Sequence, residues 1–227
     1  MKQDMFPGRQ IGEAVADLLA GRVRVAGAVE KGATELQVGS NNLFSVGDAV
    51  ALSHSRWTEV RGEFGVVAKK TGLTSITLAE PALYDRAAEE VCYLYLKERG
   101  DDAWQPRAVP SVSFVDLAAL GAGGCLAVIV RGLKMSGSKG SMISQQDWEI
   151  VVRYRAYYHK EADARRFGAE CESIFNTLMA DTYLGGTCWS SGVVDFRTSE
   201  EHVKHGSPRA SAEFTIIAKR AAVIQQN

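Results

Sequence analysis

A chain of 227 residues suits one large domain or two small ones, and it is long enough to bury a core without disulfide or metal staples. With 46% apolar residues, 23% charged residues and a formal net charge of −1, it reads as a soluble globular protein. That balance excludes bulk electrostatic attraction to nucleic acid or membrane. The apolar run Cys125 to Val130 is far too short to cross a bilayer, and MKQDMFPGRQ has no apolar leader core. Cysteines at 92, 125, 171 and 188 have the spacing of neither a zinc site nor a disulfide framework. They are expected to be reduced core or edge thiols of a cytoplasmic protein.

IGEAVADLLA, residues 11–20, puts Ile11, Val15, Leu18 and Leu19 on one helical face, and Gly21 is placed to end the helix. From 22 to 97 the apolar runs become brief and β-branched: Val23 to Val29, Glu35 to Val38, Ala49 to Leu52, Val60 to Ala68, Ser75 to Leu78 and Val91 to Leu96. Lys31-Gly32, Asn41-Asn42, Gly47-Asp48, Gly72 and Pro81 separate them, which predicts a small antiparallel barrel or sandwich with at most a helical turn near Tyr84 to Glu90. ERGDDAWQPRAVP, residues 98–110, reads as a connector.

Leu126 to Val130 predicts a compact strand, and GLKMSGSKGSM, residues 132–142, a mobile surface hairpin loop. In DWEIVVRYRAYY, Trp148, Ile150, Val152, Tyr154, Ala156 and Tyr158 share one face, and Glu149, Val151, Arg153, Arg155 and Tyr157 share the other. That period of two predicts a half-buried strand. Glu161 to Ala180 is the strongest helix, with an apolar stripe of Ala164, Phe167, Cys171, Ile174, Phe175 and Leu178, and with Glu161 and Asp163 in its first turn. A strand near Val193 to Arg197 follows. The chain then closes on RASAEFTIIAKRAA, where Ala210, Ala212, Phe214, Ile216 and Ala218 share a face. The fold class expected is α+β: a mostly antiparallel sheet packed by a long helix, plus a small all-β barrel.

The sequence carries few signals of chemistry. Gly185-Gly186 ahead of Cys188 invites comparison with a nucleophile elbow, but the order is helix, turn, strand, and Ser190 stands where a second glycine is needed. His159, His202 and His205 are the candidate bases for such a thiol. The stretch 132–142 fails the spacing of a phosphate loop and leads into a strand, so it offers no helix N-terminus. His202 and His205, with Glu200 and Glu201 nearby, lie in a Gly- and Pro-bearing segment and lack a third ligand at supporting spacing. Asp48 after Gly47 serves a tight turn. SHSRW at 53–57 suggests a stacking loop or a strand start. An aromatic cleft from Trp57, Tyr84, Tyr93 and Tyr95 would suit a small molecule or carbohydrate, although the last two fit a strand core equally well. No catalytic, cofactor or metal residue is expected.

A strand (LAVIVRG), a Gly-rich hairpin, a strand with a W-x-I-x-V core (DWEIVVRY), a long helix ending LMADTYLGG, and the strand RASAEFTIIAKR follow one another. This order resembles the tail terminator and minor tail proteins of tailed bacteriophages, over roughly Leu126 to Ala222. The rhythm of AVEKGATELQVGSNNLFSVGDAVALS is similar to small β-modules of phage structural proteins. The resemblance implies residues 1–21 as a helix packing with the C-terminal domain, residues 22–105 as a barrel inserted after it, and residues 106–227 as the terminator-like domain. SVSFVDLAALG is the other candidate for the family's first helix.

It also implies a virion protein made in the host cytoplasm, with no enzymatic activity. Its copies would form a ring, usually hexameric, at the head-proximal end of the tail. The expected partners are further copies of itself, the tail tube protein, the head–tail connector or stopper, and the sheath where the tail has one. Genomic DNA would pass through the lumen without specific binding, and no membrane is involved. Another neck or baseplate position is the alternative; a ligand-binding β-domain and a cysteine hydrolase are the rival classes. The candidate subunit-interface loops carry Lys134, Ser136, Lys139 and Met142, and Glu201, His202, Lys204 and Arg209.

Overall fold

The computed structural model describes residues 7–53, 63–87, 92–98, 111–113, 125–136, 143–157, 161–201 and 209–223. The chain divides into two compact units. One comprises Met1–Ala16, Pro110–Tyr183 and Thr187–Asn227, and the other Asp17–Val109 with Leu184–Gly186. Helix α1 (Pro7–Leu19) starts four residues ahead of the apolar pattern. Pro7 suits a first helical position because its missing N–H would have no partner there. Gly21, at φ 68°, ends the helix as its position predicts, and its N–H donates to the Leu18 carbonyl at 2.9 Å.

The unit built on Asp17–Val109 is all-β in its described strands. These are β1 (Arg22–Arg24), β2 (Glu35–Gln37), β3 (Ala49–Ser53), β4 (Glu63–Thr71), β5 (Ser75–Leu78) and β6 (Tyr93–Glu98), in the order β1-β6-β3-β4-β5-β2 with antiparallel pairing throughout. A bridge between Val25 and Val38, with the Ala26 N–H donating to the Gln37 carbonyl at 2.7 Å, joins the chain just past β1 to the chain just past β2. Leu36, Val50, Leu52, Val67, Ile76, Leu94 and Leu96 are buried. The Gly47-Asp48 turn forms as read: Gly47 has φ 94°, and the buried Asp48 carboxylate accepts the Ser45 N–H at 2.7 Å.

The same unit buries a cation that the apolar pattern does not reveal. The Arg22 side chain is 1% exposed, and its Nη2 lies 2.7 Å from the Asp17 carboxylate. Its guanidinium carbon is 5.5 Å and 5.8 Å from the Tyr93 and Tyr95 ring centroids. Those two rings meet edge-on at 6.5 Å.

The other unit is a five-stranded sheet beside α2 (Glu161–Ala180). Its strands are β7 (Ser111–Ser113), β8 (Cys125–Ser136), β9 (Ile143–Tyr157), β10 (Ser190–Glu201) and β11 (Arg209–Val223), in the order β10-β11-β9-β8-β7. All pairs are antiparallel except β7 with β8. Ser111–Ser113 is therefore strand, which follows its β-branched and serine composition; residues 114–124, the rest of the alternative helix, lie outside the described residues.

The two alternating patterns meet in register: Trp148 faces Ala218, Ile150 faces Ile216, Val152 faces Phe214 and Tyr154 faces Ala212. Ile150, Val152, Ala212, Phe214, Ile216 and Ala218 are all buried. The large apolar members stabilise the fold by about 1.5–3 kcal/mol each. Helix α2 covers the Tyr154 end of this face, with the Phe167 ring stacked on Tyr154 at 5.5 Å and the Tyr154 hydroxyl donating to Glu170. The first turn of α1 covers the Trp148 end. There Gly8 lies so close to the indole that a Cβ would collide with it, and Arg220 donates to Gln10 at 3.1 Å. On the opposite face Arg153 pairs with Glu213 at 2.7 Å.

Three sequence expectations change. The segment Gly132–Ser136 is strand rather than loop, because an irregularity between Val130 and Gly132 lets β8 go on pairing with Gln145–Glu149. β10 runs from Ser190 to Glu201 rather than Val193 to Arg197, because pairing with β11 carries it through polar residues. The α2 stripe is only partly core: Cys171, Ile174 and Leu178 are buried, but Ala164 and Phe175 are exposed.

Candidate functional site

Part of the α2 stripe is one wall of a groove. Ala164, Phe167, Cys171 and Phe175 face Phe196, Ala210 and Phe214 of β10 and β11 across about 590 Å³. Phe175 is 39% and Phe196 47% exposed, so the rings are reachable from solvent. Phe196 lies on Phe214 with ring centroids 4.8 Å apart, which fixes the floor. Glu172, Thr198, Ser199 and Glu200 supply the polar part of the lining. Glu172 follows Cys171 on the helix, and Thr198 and Glu200 continue the Phe196 side of β10 at every second residue. The groove lies where Phe167 and Phe175 of α2 stand opposite Phe196 of β10 without closing over it. Among the described residues β10 is paired on its β11 side only.

At the far end of the sheet, β8 runs on past β7 as an edge strand backed by β9 and β11, and its segment from Arg131 to Ser136 is an edge arm. Every residue from Arg131 to Ser136 is exposed. Leu133 faces Trp148 in register and Met135 faces Gln146, so both lie on the face that carries Val128, Val130 and Ile150. Lys134 faces Asp147 and points the other way.

The predicted interface residues divide accordingly. Lys134 and Ser136 are on the arm, in strand β8, and not on a loop. Glu201 and Arg209 are directly paired across β10 and β11 and are likewise strand. Lys139, Met142, His202 and Lys204 lie outside the described residues. The two groups sit at opposite ends of β9, against Gln145 and Tyr157, a separation of about 40 Å at strand rise. The groove itself was missed by the sequence reading. Its only signal was a helix stripe with four large members, Phe167, Ile174, Phe175 and Leu178, in positions that a core would have to fill completely.

Cys188 sits in a turn and is buried. Leu184, Gly185 and Gly186 have φ of 47°, 64° and 81°, a left-handed run that ends the helical segment and sends the chain toward β10. Burial pushes the Cys188 thiol up to about 11; a hydrogen bond with Ser191 pulls the other way, and the Asp181 charge adds to the rise. Its Sγ lies 3.7 Å from the Thr182 carbonyl. This is the opposite of the depressed thiol a nucleophile needs. Cys92, Cys171 and Cys188 are buried and unbridged.

The aromatic cleft also dissolves where it can be seen. Tyr93 and Tyr95 are buried beside Arg22, Tyr84 is exposed, and Trp57 lies outside the described residues, as do His54, Arg56, His159 and His205. Burial raises the Tyr95 phenol despite the opposing Arg22 charge. Among the described residues no cluster of His, Cys, Asp and Glu is placed to hold a metal ion, and no helix is long and apolar enough to cross a membrane. Comparison with protein-family models and with curated proteins gave no match to this chain.

Proposed function

We propose that the protein is a structural subunit of a phage tail, a ring-forming terminator at the head-proximal end that caps the tail tube and joins it to the connector. The observation that supports this is the arrangement of the second unit. A long hairpin (β8–β9), a helix laid on one face (α2), and a second long hairpin (β10–β11) follow the order on which the sequence resemblance rests. A ring subunit needs two unlike surfaces, because each copy must present one to the neighbour on either side. An exposed arm and an open groove at distant parts of one sheet meet that requirement. In this reading the sheet of the other unit, whose ends meet through the Val25–Val38 bridge, is a small barrel carried on the ring.

The tail tube protein, the connector and further copies of this chain are the partners, with DNA passing through the lumen unbound. The test is native mass spectrometry of the purified chain together with negative-stain electron microscopy. The expected result is a closed hexameric ring of about six times 24.6 kDa. A chain that stays a single subunit at every concentration, and is missing from purified virions, overturns the reading.

A further inference from the structure

We infer that the arm and the groove bind each other: residues Leu133 and Met135 of one copy enter the α2–β10 groove of the next. This rests on the ring reading and specifies its contact. Three observations select a second copy as the occupant. The first is chemistry. The groove offers three aromatic rings, Phe167, Phe175 and Phe196, above a floor formed by Phe214. The arm offers an exposed thioether and an isobutyl group two residues apart on one strand face, Met135 at 57% and Leu133 at 41% exposure. A flexible thioether suits an aromatic slot of irregular shape.

The second is charge. The groove lining carries Glu172 and Glu200 and no cation, while on the opposite face of β10 Asp195 holds Arg197 at 2.7 Å. The arm carries Arg131 and Lys134 and no acid. Arg131 reaches Glu213 at 3.7 Å, and Lys134 is exposed on the face away from Leu133 and Met135. With the apolar pair turned into the groove, Lys134 therefore turns toward the strand face that bears Asp195.

The third is shape. Within the described residues the arm's outer edge beyond Ile129 and the β10 edge are each paired on one side only. Their backbone groups complement one another as extended strands do. Because arm and groove are different surfaces, the contact is head-to-tail, and its repetition closes into a ring or continues as a filament.

The experiment uses the full chain. Met135→Asp disables the arm and leaves the groove intact, and Phe175→Asp does the reverse; both side chains are exposed, and far-UV circular dichroism checks each fold. Lys134→Glu is a second arm variant that removes no packing. Sedimentation velocity over a concentration series should show each single variant shifting the assembly midpoint upward by at least about thirty-fold. An equimolar mixture of Met135→Asp and Phe175→Asp should form heterodimers and stop there, since only one productive arm and one productive groove remain. Variants that assemble like the unaltered chain, or a mixture that yields no dimer, overturn the contact. If the unaltered chain forms rings and the variants do too, the contact falls while the ring reading stands; if the unaltered chain never assembles, both fall.

Discussion

Replacing Arg22 by Met tests whether the buried cation organises the all-β unit. The guanidinium is enclosed on one side by Tyr93 and Tyr95 and on another by Asp17, whose carboxylate accepts the Nε–H at 2.8 Å and lies 2.7 Å from Nη2 as an ion pair. A methionine of similar length refills much of the volume, so the loss is chiefly electrostatic. Two contributions add up. The Asp17 side chain, only 15% exposed, is left without its cation, and the two ring contacts of a desolvated guanidinium disappear. Stranding one member of a buried pair costs about 3–5 kcal/mol, and partial water access to Asp17 argues for the lower end, about 3 kcal/mol.

Adding Asp17→Asn to Arg22→Met should recover part of that loss, because the uncompensated charge goes with it. Hydrogen-exchange mass spectrometry of the peptide spanning Tyr93–Glu98 reads this unit alone, since its protection depends on opening free energy there. The reasoning is refuted if Arg22→Met lowers protection by less than about 1 kcal/mol, or if the double variant is no more stable than the two single losses summed.

Cys188 should alkylate far more slowly in the folded chain than in denaturant at neutral pH, with a rate that rises toward pH 11. Its folded value lies above the ordinary 9.0, so the stability it contributes is complete below about pH 9 and is lost as pH rises through about 11; native-state alkylation at pH 7 as fast as that of an unstructured peptide sinks this account. Gly39→Ala should destabilise the all-β unit by about 1–3 kcal/mol, because its Cβ would overlap the Gly185 carbonyl, a backbone group that cannot swing aside. An unchanged urea midpoint counts against it.

What the sequence disclosed depended on how strictly a segment alternates. Ile150, Val152, Phe214 and Ile216 were readable because each is flanked by residues of the other face, so the period of two survives over both central strands. The limits of α2 were readable for a similar reason, with acidic residues at its start and a glycine pair after its end. The distal part of β8 was not, because Gly132 and Ser136 look like turn residues and strand pairing with Gln145 and Gln146 is invisible to apolarity. Thr198–Glu201 was hidden in the same way by its polarity. Arg22 in the core could not be anticipated, since its partners are one acid five residues back and two tyrosines some seventy residues on. For the candidate site, Lys134 and Ser136, expected on a loop, lie in strand β8 on an exposed edge. The groove escaped notice because Phe175 and Phe196 look like any buried phenylalanine until both are seen exposed across it.

The one-residue irregularity after Val130 acts as a phase shift in the strand. Up to that point even-numbered side chains of β8 share the covered face; beyond it the odd-numbered ones do. Had Arg131 paired with Glu149 and the ladder run on without the irregularity, Lys134 would lie where Met135 now lies, and the arm would show that side a charge instead of two apolar tips. Loss of the residue at position 131 would instead restore a regular ladder, with Gly132 still against Glu149, and Leu133 and Met135 would keep their side.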